Sequence, residues 1–325
     1  MPARPPTTPI GEWRAGTSVF GFALLTQKEV RQDRNGNTYL DLVLSDATGW
    51  IVAKVWPDSP ALDGEYEETD FVAVRGEVKL YRDQLQASLH ECRRARPEDH
   101  ERGFDPSLLV PSTPKSIDRL WARLEEILDE RLERPEARQL AKETLVTHGE
   151  ALREHPAARR IHHAYRGGLL EHTVAMAELA LAVAALYDEI DLDLLLLGVL
   201  FHDLGKLREL GRMPRNDYTP HGSLVGHVVM GRDLLLECCR AVPGFPEDLR
   251  LALEHLVLAH QGRLEFGSPV APMTAEAMAL HAIDDLDSKL AQLRPLRGRG
   301  PAFQYLRSLG RSVYLGEEDQ ESPSR

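Results

Sequence analysis

Two textures divide the chain. From about Gly16 to Arg96, apolar and polar residues alternate in short runs. The run Tyr39-Leu40-Asp41-Leu42-Val43-Leu44 puts Leu40, Leu42 and Leu44 on one side, the period-two signature of a half-buried strand. Asn35-Gly36 before it is a tight-turn signal, and Ala47-Thr48-Gly49 separates it from a second run, Ile51 to Trp56. Ser18–Glu29, Phe71–Leu80 and Leu85–Cys92 complete five predicted strands. Five short antiparallel strands in so few residues predict a small barrel of the oligonucleotide/oligosaccharide-binding (OB) type. An SH3-like barrel or part of a sandwich gives much the same pattern.

Beyond a proline-rich, charged stretch read as a linker (97–116), the apolar spacing becomes helical. Leu120, Leu124, Ile127 and Leu128 fall on one side of a helix predicted over Ile117–Leu132. Further helices are predicted at Pro135–His148, Leu169–Leu186, Leu192–Asp203, Leu224–Ala241, Pro246–His260, Thr274–Leu293 and Pro301–Leu309. Breakers stand between them at Gly167-Gly168, Gly205, Pro220, Pro243-Gly244 and Gly262. The expected organisation is multidomain α+β. A disordered arm (1–15) precedes an OB-like five-stranded β-barrel (16–96), and an all-α domain (117–314) and a disordered acidic tail (315–325) follow the linker.

Composition narrows the classes. The longest apolar stretch, Leu194 to Phe201, is too short to cross a membrane, and the Pro/Thr-rich start has no apolar core. Three cysteines, two of them adjacent, form no disulfide framework. A cytoplasmic protein with no membrane partner is expected. The formal net charge of −12 argues against a broad basic face for nucleic acid, but not against a narrow site whose positive charge comes from bound metal.

The strongest chemical signal is a set of histidines and aspartates. His172 lies in Gly-Gly-Leu-Leu-Glu-His-Thr, His202-Asp203 closes an apolar helix and His227 sits in Leu-Val-Gly-His. His260 ends another helix, and Asp284 lies in Ala-Ile-Asp-Asp-Leu-Asp, where Asp285 and Asp287 compete with it. Imidazole nitrogen with carboxylate oxygen suits borderline divalent metals: Mn, Fe, Co or Zn. An Asp beside a His can bridge two ions, and two ions can activate a water and stabilise both oxygens of an in-line displacement at phosphorus. Asp203 and Lys206 are the expected catalytic residues, Lys206 as the cation meeting the scissile phosphate. Arg263 is a candidate contact for the substrate backbone. On the barrel, Phe22, Tyr39, Trp56 and Tyr81 are candidate stacking residues, with Lys54, Lys79 and Arg82 as cations. Residues 1–96 hold 12 Lys/Arg against 14 Asp/Glu, so the barrel is not globally basic.

Through His172, His202-Asp203 and Asp284 the sequence resembles the HD-domain metal-dependent phosphohydrolases. The stretches GGLLEHT (167–173), LFHDLGK (200–206), YTPHGSLVGH (218–227), LAHQGRLEFGSP (258–269) and HAIDDLDSK (281–289), with GNTYLDLVLSDATG (36–49) in the barrel, resemble the YhaM family of 3′→5′ exoribonucleases. The resemblance implies an OB fold ahead of an HD domain. It also implies a Mn²⁺-favouring enzyme (Co²⁺, Fe²⁺ or Zn²⁺ being alternatives) that shortens single-stranded RNA, and single-stranded DNA as a further substrate, from the 3′ end. The metal ligands would fall on His172, His202, Asp203, His227, His260 and Asp284. Where that family commonly has a second histidine after His260, this chain has Gln261. Two other functions fit the same residues: a phosphohydrolase of a nucleotide or cyclic dinucleotide, and a single-strand-binding protein with weak hydrolase activity. A homo-oligomer is compatible with all three.

Overall fold

A computed structural model describes residues 8–81, 84–110, 112–158, 163, 165–211, 213–214, 216–296 and 302–316, with the backbone alone at Pro295 and Arg307. The chain forms two compact units. Among the described residues, one runs to Ser112 and includes Met213-Pro214; the other holds the rest.

The first unit is a closed barrel of β1 (Ser18–Gln32), β2 (Thr38–Asp46), β3 (Gly49–Val55), β4 (Phe71–Tyr81) and β5 (Gln84–Arg94). Going round the barrel the order is β1-β2-β3-β5-β4. All pairings are antiparallel except β3 with β5. This closed order is that of an OB fold. Strand β1 is long enough to serve both sides: Ser18 to Leu24 pair with β4, and Leu24 to Gln32 with β2, with a register shift between Leu25 and Gln27. The predicted inward face holds, since Leu40, Leu42 and Leu44 are buried with Leu25, Val55, Val72 and Leu89.

Two stretches outside the predicted strands, parts of the expected arm and of the expected linker, are built into this unit. Residues 8–15 of the expected disordered arm form a short 3₁₀ turn, Ile10–Glu12, which seats Ile10 and Trp13 in the barrel core. Trp13 is 2 % exposed, and Asp46 accepts from the Ile10 N–H at 2.7 Å. A tryptophan this buried removes enough apolar surface from water to hold its segment. The expected linker likewise carries a 3₁₀ helix, Pro97–Arg102, and a short α1 (Pro106–Leu109). Asp99 receives both guanidinium nitrogens of Arg93, at 2.7 and 2.8 Å, and Phe104 packs on Phe22 and Phe71. Short polar segments carry little periodicity, so long-range partners such as these were invisible in the pattern.

The second unit is helical: α2 (Ile117–Arg131), α3 (Pro135–Glu154), α4 (Gly168–Ala184), α5 (Leu192–Phe201), α6 (Lys206–Glu209), α7 (Pro220–Val225), α8 (His227–Ala241), α9 (Glu247–Ala259) and α10 (Ala275–Leu293). Helix α5 is apolar on every side and lies at the centre; from Asp193 to Phe201 every residue is buried. Helices α2, α3, α4, α8, α9 and α10 all contact it. The one buried charge on it, Asp193, accepts from the backbone N–H groups of Glu133 and Arg134 at 2.8 Å each.

Two helix expectations are corrected. The helix predicted over Leu224–Ala241 is two, because Gly226, at φ +80° and ψ 154°, takes a conformation closed to other residues. His227 thereby becomes the first residue of α8. The helix predicted over Pro301–Leu309 is instead a strand, β6 (Phe303–Leu306), followed by a 3₁₀ turn. It pairs with β7 (Arg311–Tyr314) across Gly310, and Leu315 beyond the hairpin is 3 % exposed. Alternation in Phe-Gln-Tyr-Leu, with a glycine ahead of a second short run, is strand chemistry.

Candidate metal centre

Five helices bring candidate ligands to one end of α5. His172 comes from the second turn of α4, and His202 and Asp203 from the end of α5. His227 opens α8, His260 follows α9, and Asp284 comes from the middle of α10. Gly205 lets two of these elements meet, because a Cβ there would stand 2.0 Å from the His227 carbonyl oxygen. Gly262 plays the same part after α9, where a Cβ would lie 2.3 Å from the His281 ring. His281 itself contacts the His260 carbonyl through Nδ1 at 3.0 Å and ties α10 to the end of α9.

Each imidazole is oriented from behind. Nδ1 of His202 faces the Val199 carbonyl at 2.8 Å, and Nδ1 of His260 faces the Val257 carbonyl at 2.6 Å. Nδ1 of His172 faces Asp287 Oδ2 at 2.7 Å, and Nδ1 of His227 faces Glu209 Oε1 at 3.0 Å. Carbonyls and carboxylates only accept, so Nδ1 carries the hydrogen in all four rings and Nε2 is turned toward the centre. Such backing partners raise ligand basicity.

The four Nε2 atoms converge on Asp203. Its Oδ2 lies 3.7 Å from His172 Nε2 and 3.5 Å from His202 Nε2; its Oδ1 lies 3.6 Å from His227 Nε2 and 3.9 Å from His260 Nε2. One carboxylate thus presents a different oxygen to each pair of histidines. Asp284 Oδ1 lies 3.3 Å from His172 Nε2 and completes the first pair. His172, His202 and Asp203 are close enough together to hold one metal ion, and Asp203, His227 and His260 to hold another. Donor separations of this size are those of ligands sharing a cation roughly 2 Å from each.

The residues fit a pair of divalent cations on chemical grounds. Asp203 Oδ1 is buried with no hydrogen-bond partner among the described residues, a costly state that a cation would relieve. Nε2 of His172 and of His202 stand 3.2 Å apart. Burial pushes the His172 imidazole down, but Asp284 and Asp287 outweigh it and lift it to about 9. Burial pushes His260 down, to about 4, leaving it a neutral donor. For Asp203, burial acts upward, yet Lys206 and the surrounding imidazoles hold its carboxyl well below the usual carboxylate range. Lys206 Nζ donates to Asp203 Oδ2 at 2.5 Å, and Ser288 Oγ donates to Asp284 Oδ1 at 3.3 Å.

The centre opens into a cleft of about 360 Å³ lined by Asp203, Lys206, His227, Gln261 and Asp284 together with Tyr218 and Phe266. The two aromatic side chains are 50 % and 61 % exposed. Neither was singled out in the sequence, because only tertiary structure brings them to the cleft. Arg263 is exposed, with its guanidinium 5.7 Å from the Phe266 ring centroid. Asp287, Glu209 and His163 were also missed as supporting residues. His163 Nε2 lies 3.2 Å from the Asp287 carboxylate that holds His172.

On the barrel the candidates separate. Phe22 faces Phe104 with ring centroids 5.2 Å apart and is 6 % exposed, so it packs the barrel and presents no stacking face. The Lys54 ammonium is paired with Asp41 at 2.6 Å and lies 5.3 Å from the Tyr39 ring centroid. Lys79 pairs with Glu77 at 3.3 Å. Trp56 is part-exposed beside Tyr39, with centroids 5.3 Å apart, and Tyr81 is exposed. Trp50, 69 % exposed, shares the strand parity of Lys54 on β3; that alternation could have found it. Arg82 lies outside the described residues.

Among known proteins, residues 169–289 match the family model of the HD domain, and residues 108–188 match one described as a putative helicase. Structurally, the chain is similar to the second OB-fold domain of replication protein A from Methanococcus maripaludis. Identity there is 23%, over 28% of this chain and 95% of that one, with a TM-score of 0.24. It is also similar to a chain of a replication protein A heterotrimer bound to ssDNA (20% identity, 27% of this chain, TM-score 0.21). A third similarity is to the p204 HINb domain (18% identity, 26% of this chain, TM-score 0.22). The chain spans 63% and 44% of the length of those two. The protein thus carries an N-terminal five-stranded OB-fold barrel followed by a helical HD domain at 169–289.

Proposed function

We propose that the protein is a divalent-metal-dependent phosphodiesterase that removes nucleotides from the 3′ end of single-stranded RNA, with single-stranded DNA as a second substrate. The observation that carries the reading is Asp203, whose two oxygens face two different histidine pairs at the floor of an open cleft. A dinuclear centre of this kind, when loaded, supplies Lewis acidity toward phosphoryl oxygens and a nucleophilic water. His172, His202 and Asp284 would hold one cation, His227 and His260 the other, and Asp203 both.

The chain's own groups do the rest. Lys206 is held at the centre by Asp203, and burial, which pushes its ammonium down, is outweighed by that carboxylate, so it stays charged. A fixed cation there stabilises charge developing on a phosphoryl oxygen. Tyr218 and Phe266 offer ring faces to nucleobases at the cleft, and Arg263 a cation to the backbone. Exposed Trp50, Trp56 and Tyr81 support single-strand binding by the barrel. Directionality, RNA preference and Mn²⁺ rest on the resemblance to the YhaM family.

The test uses 5′-labelled and 3′-labelled single-stranded RNA with Mn²⁺. The expected result is a descending ladder from the first, immediate mononucleotide release from the second, and no reaction with EDTA or with Asp203→Ala. Intact RNA alongside hydrolysis of a nucleotide or cyclic dinucleotide would replace the exonuclease reading with that of a small-molecule phosphohydrolase. Intact RNA with salt-sensitive binding and no hydrolysis would leave a binding protein.

A further inference from the structure

We propose that the two cation positions flanking Asp203 are unequal, with Gln261 making the His227–His260 position the weaker, exchangeable one. This rests on the metal-centre reading above and goes beyond it. Gln261 Nε2 lies 2.9 Å from His260 Nε2 and 3.4 Å from His227 Nε2. Both rings carry their hydrogen on Nδ1, held by the Val257 carbonyl and by Glu209, so both Nε2 atoms are acceptors. The tautomers therefore decide which end of the amide faces them. The NH₂ group donates to both rings, whereas the amide oxygen would meet two lone pairs. One side chain thus caps both imidazole donors of this position, and a cation entering it has to displace those contacts. No amide competes for His172 and His202 among the described residues.

Two further observations point the same way. The His172–His202 position has two carboxylates, Asp203 Oδ2 and Asp284. The His227–His260 position has the shared Asp203 through Oδ1, while Glu209 is turned behind His227 onto Nδ1. Fewer carboxylates mean weaker holding of a divalent ion, the rule by which calcium sites are tuned. Solvent reaches the two positions differently as well. The His172 and His202 side chains are 2 % and 0 % exposed, whereas that of His227 is 19 % exposed and lines the open cleft beside Gln261. Asp284 of the first position, 15 % exposed, and the shared Asp203 also line this cleft, and His260 is 0 % exposed; of the four imidazoles, the one that reaches the cleft belongs to the second position.

The test is a Mn²⁺ titration of the metal-stripped full-length protein, following free Mn²⁺ by electron paramagnetic resonance, with bound ions counted by elemental analysis. No turnover is needed. The expected result is two bound ions with dissociation constants at least tenfold apart, the weaker class lost in His227→Ala. Gln261→Ala should tighten the weaker class several-fold, because two amide contacts no longer oppose binding. Two ions of equal affinity would overturn the proposal while leaving the metal centre standing, as would Gln261→Ala leaving the weaker class unchanged or loosening it. No bound ion at all would overturn both readings. Two unequal ions without RNA hydrolysis would uphold this inference and sink only the exonuclease.

Discussion

Asp287 Oδ2 lies 2.7 Å from His172 Nδ1, while Asp284 Oδ1 lies 3.3 Å from the Nε2 of the same ring. Two carboxylates one helical turn apart on α10 therefore flank one imidazole, one at each ring nitrogen. Asp285 points away and pairs with Lys289 at 2.5 Å. Asp287→Asn should weaken cation binding at the His172–His202 position by about 10–100-fold, the usual effect of losing such a partner. Far-ultraviolet circular dichroism should stay as in the parent. Unchanged affinity in the titration would show that Val199-anchored His202 and the two ligand carboxylates suffice.

Lys206 is charged, nearly enclosed and bonded to Asp203, yet it is not one of the expected ligands. Lys206→Met should lower kcat by about 10²-fold while two ions still bind, because it removes a cation facing the developing charge rather than a metal ligand. Loss of metal binding in this variant would recast Lys206 as a structural neighbour of Asp203.

Phe266 and Tyr218 are exposed at the cleft, Phe266 with the Arg263 guanidinium 5.7 Å from its ring centroid. Phe266→Ala should raise KM for a single-stranded oligonucleotide by about tenfold, stacking on an aromatic ring being worth roughly 1–3 kcal/mol per base. Turnover of a small synthetic phosphodiester should stay the same. Equal effects on both substrates would place Phe266 in the support of the centre rather than in substrate binding.

The barrel carries an acid-sensitive contact of its own. The side-chain hydrogen bonds from Arg93 hold the Asp99 carboxyl down, at about 2 against an ordinary 3.8. A carboxylate lowered in the folded state adds stability that is complete above its unfolded pKa and disappears as pH falls through the folded one. Stability of this unit should therefore drop between about pH 4 and pH 2, by about 1 kcal/mol once screening through the part-exposed Arg93 is counted. Asp99→Asn should be less stable at neutral pH and flatter across that window in urea denaturation. A parent-like slope in the variant would assign the acid response to other carboxylates.

Much of this protein was readable from residue order alone. Period-two alternation exposed the five barrel strands, and the all-apolar run from Leu194 to Phe201 marked the buried helix that ends in His202-Asp203. Both are local signals, set by how often a chain turns a side chain toward the core. Residue chemistry likewise named the histidines and aspartates that the fold gathers at one end of α5. What sequence order left open was decided by contacts between segments far apart in the chain. Asp284, Asp285 and Asp287 are equivalent as letters; they differ because α10 turns the first and third toward His172 and the second toward solvent. Phe22 reads as a surface aromatic until Phe104 from the supposed linker covers it. The capping of His227 and His260 by Gln261 exists only because Gly226 starts α8 where it does and Gly205 lets that start approach the end of α5. Local periodicity fixes which face is buried; only packing determines which neighbour that face, or a polar atom within it, will meet.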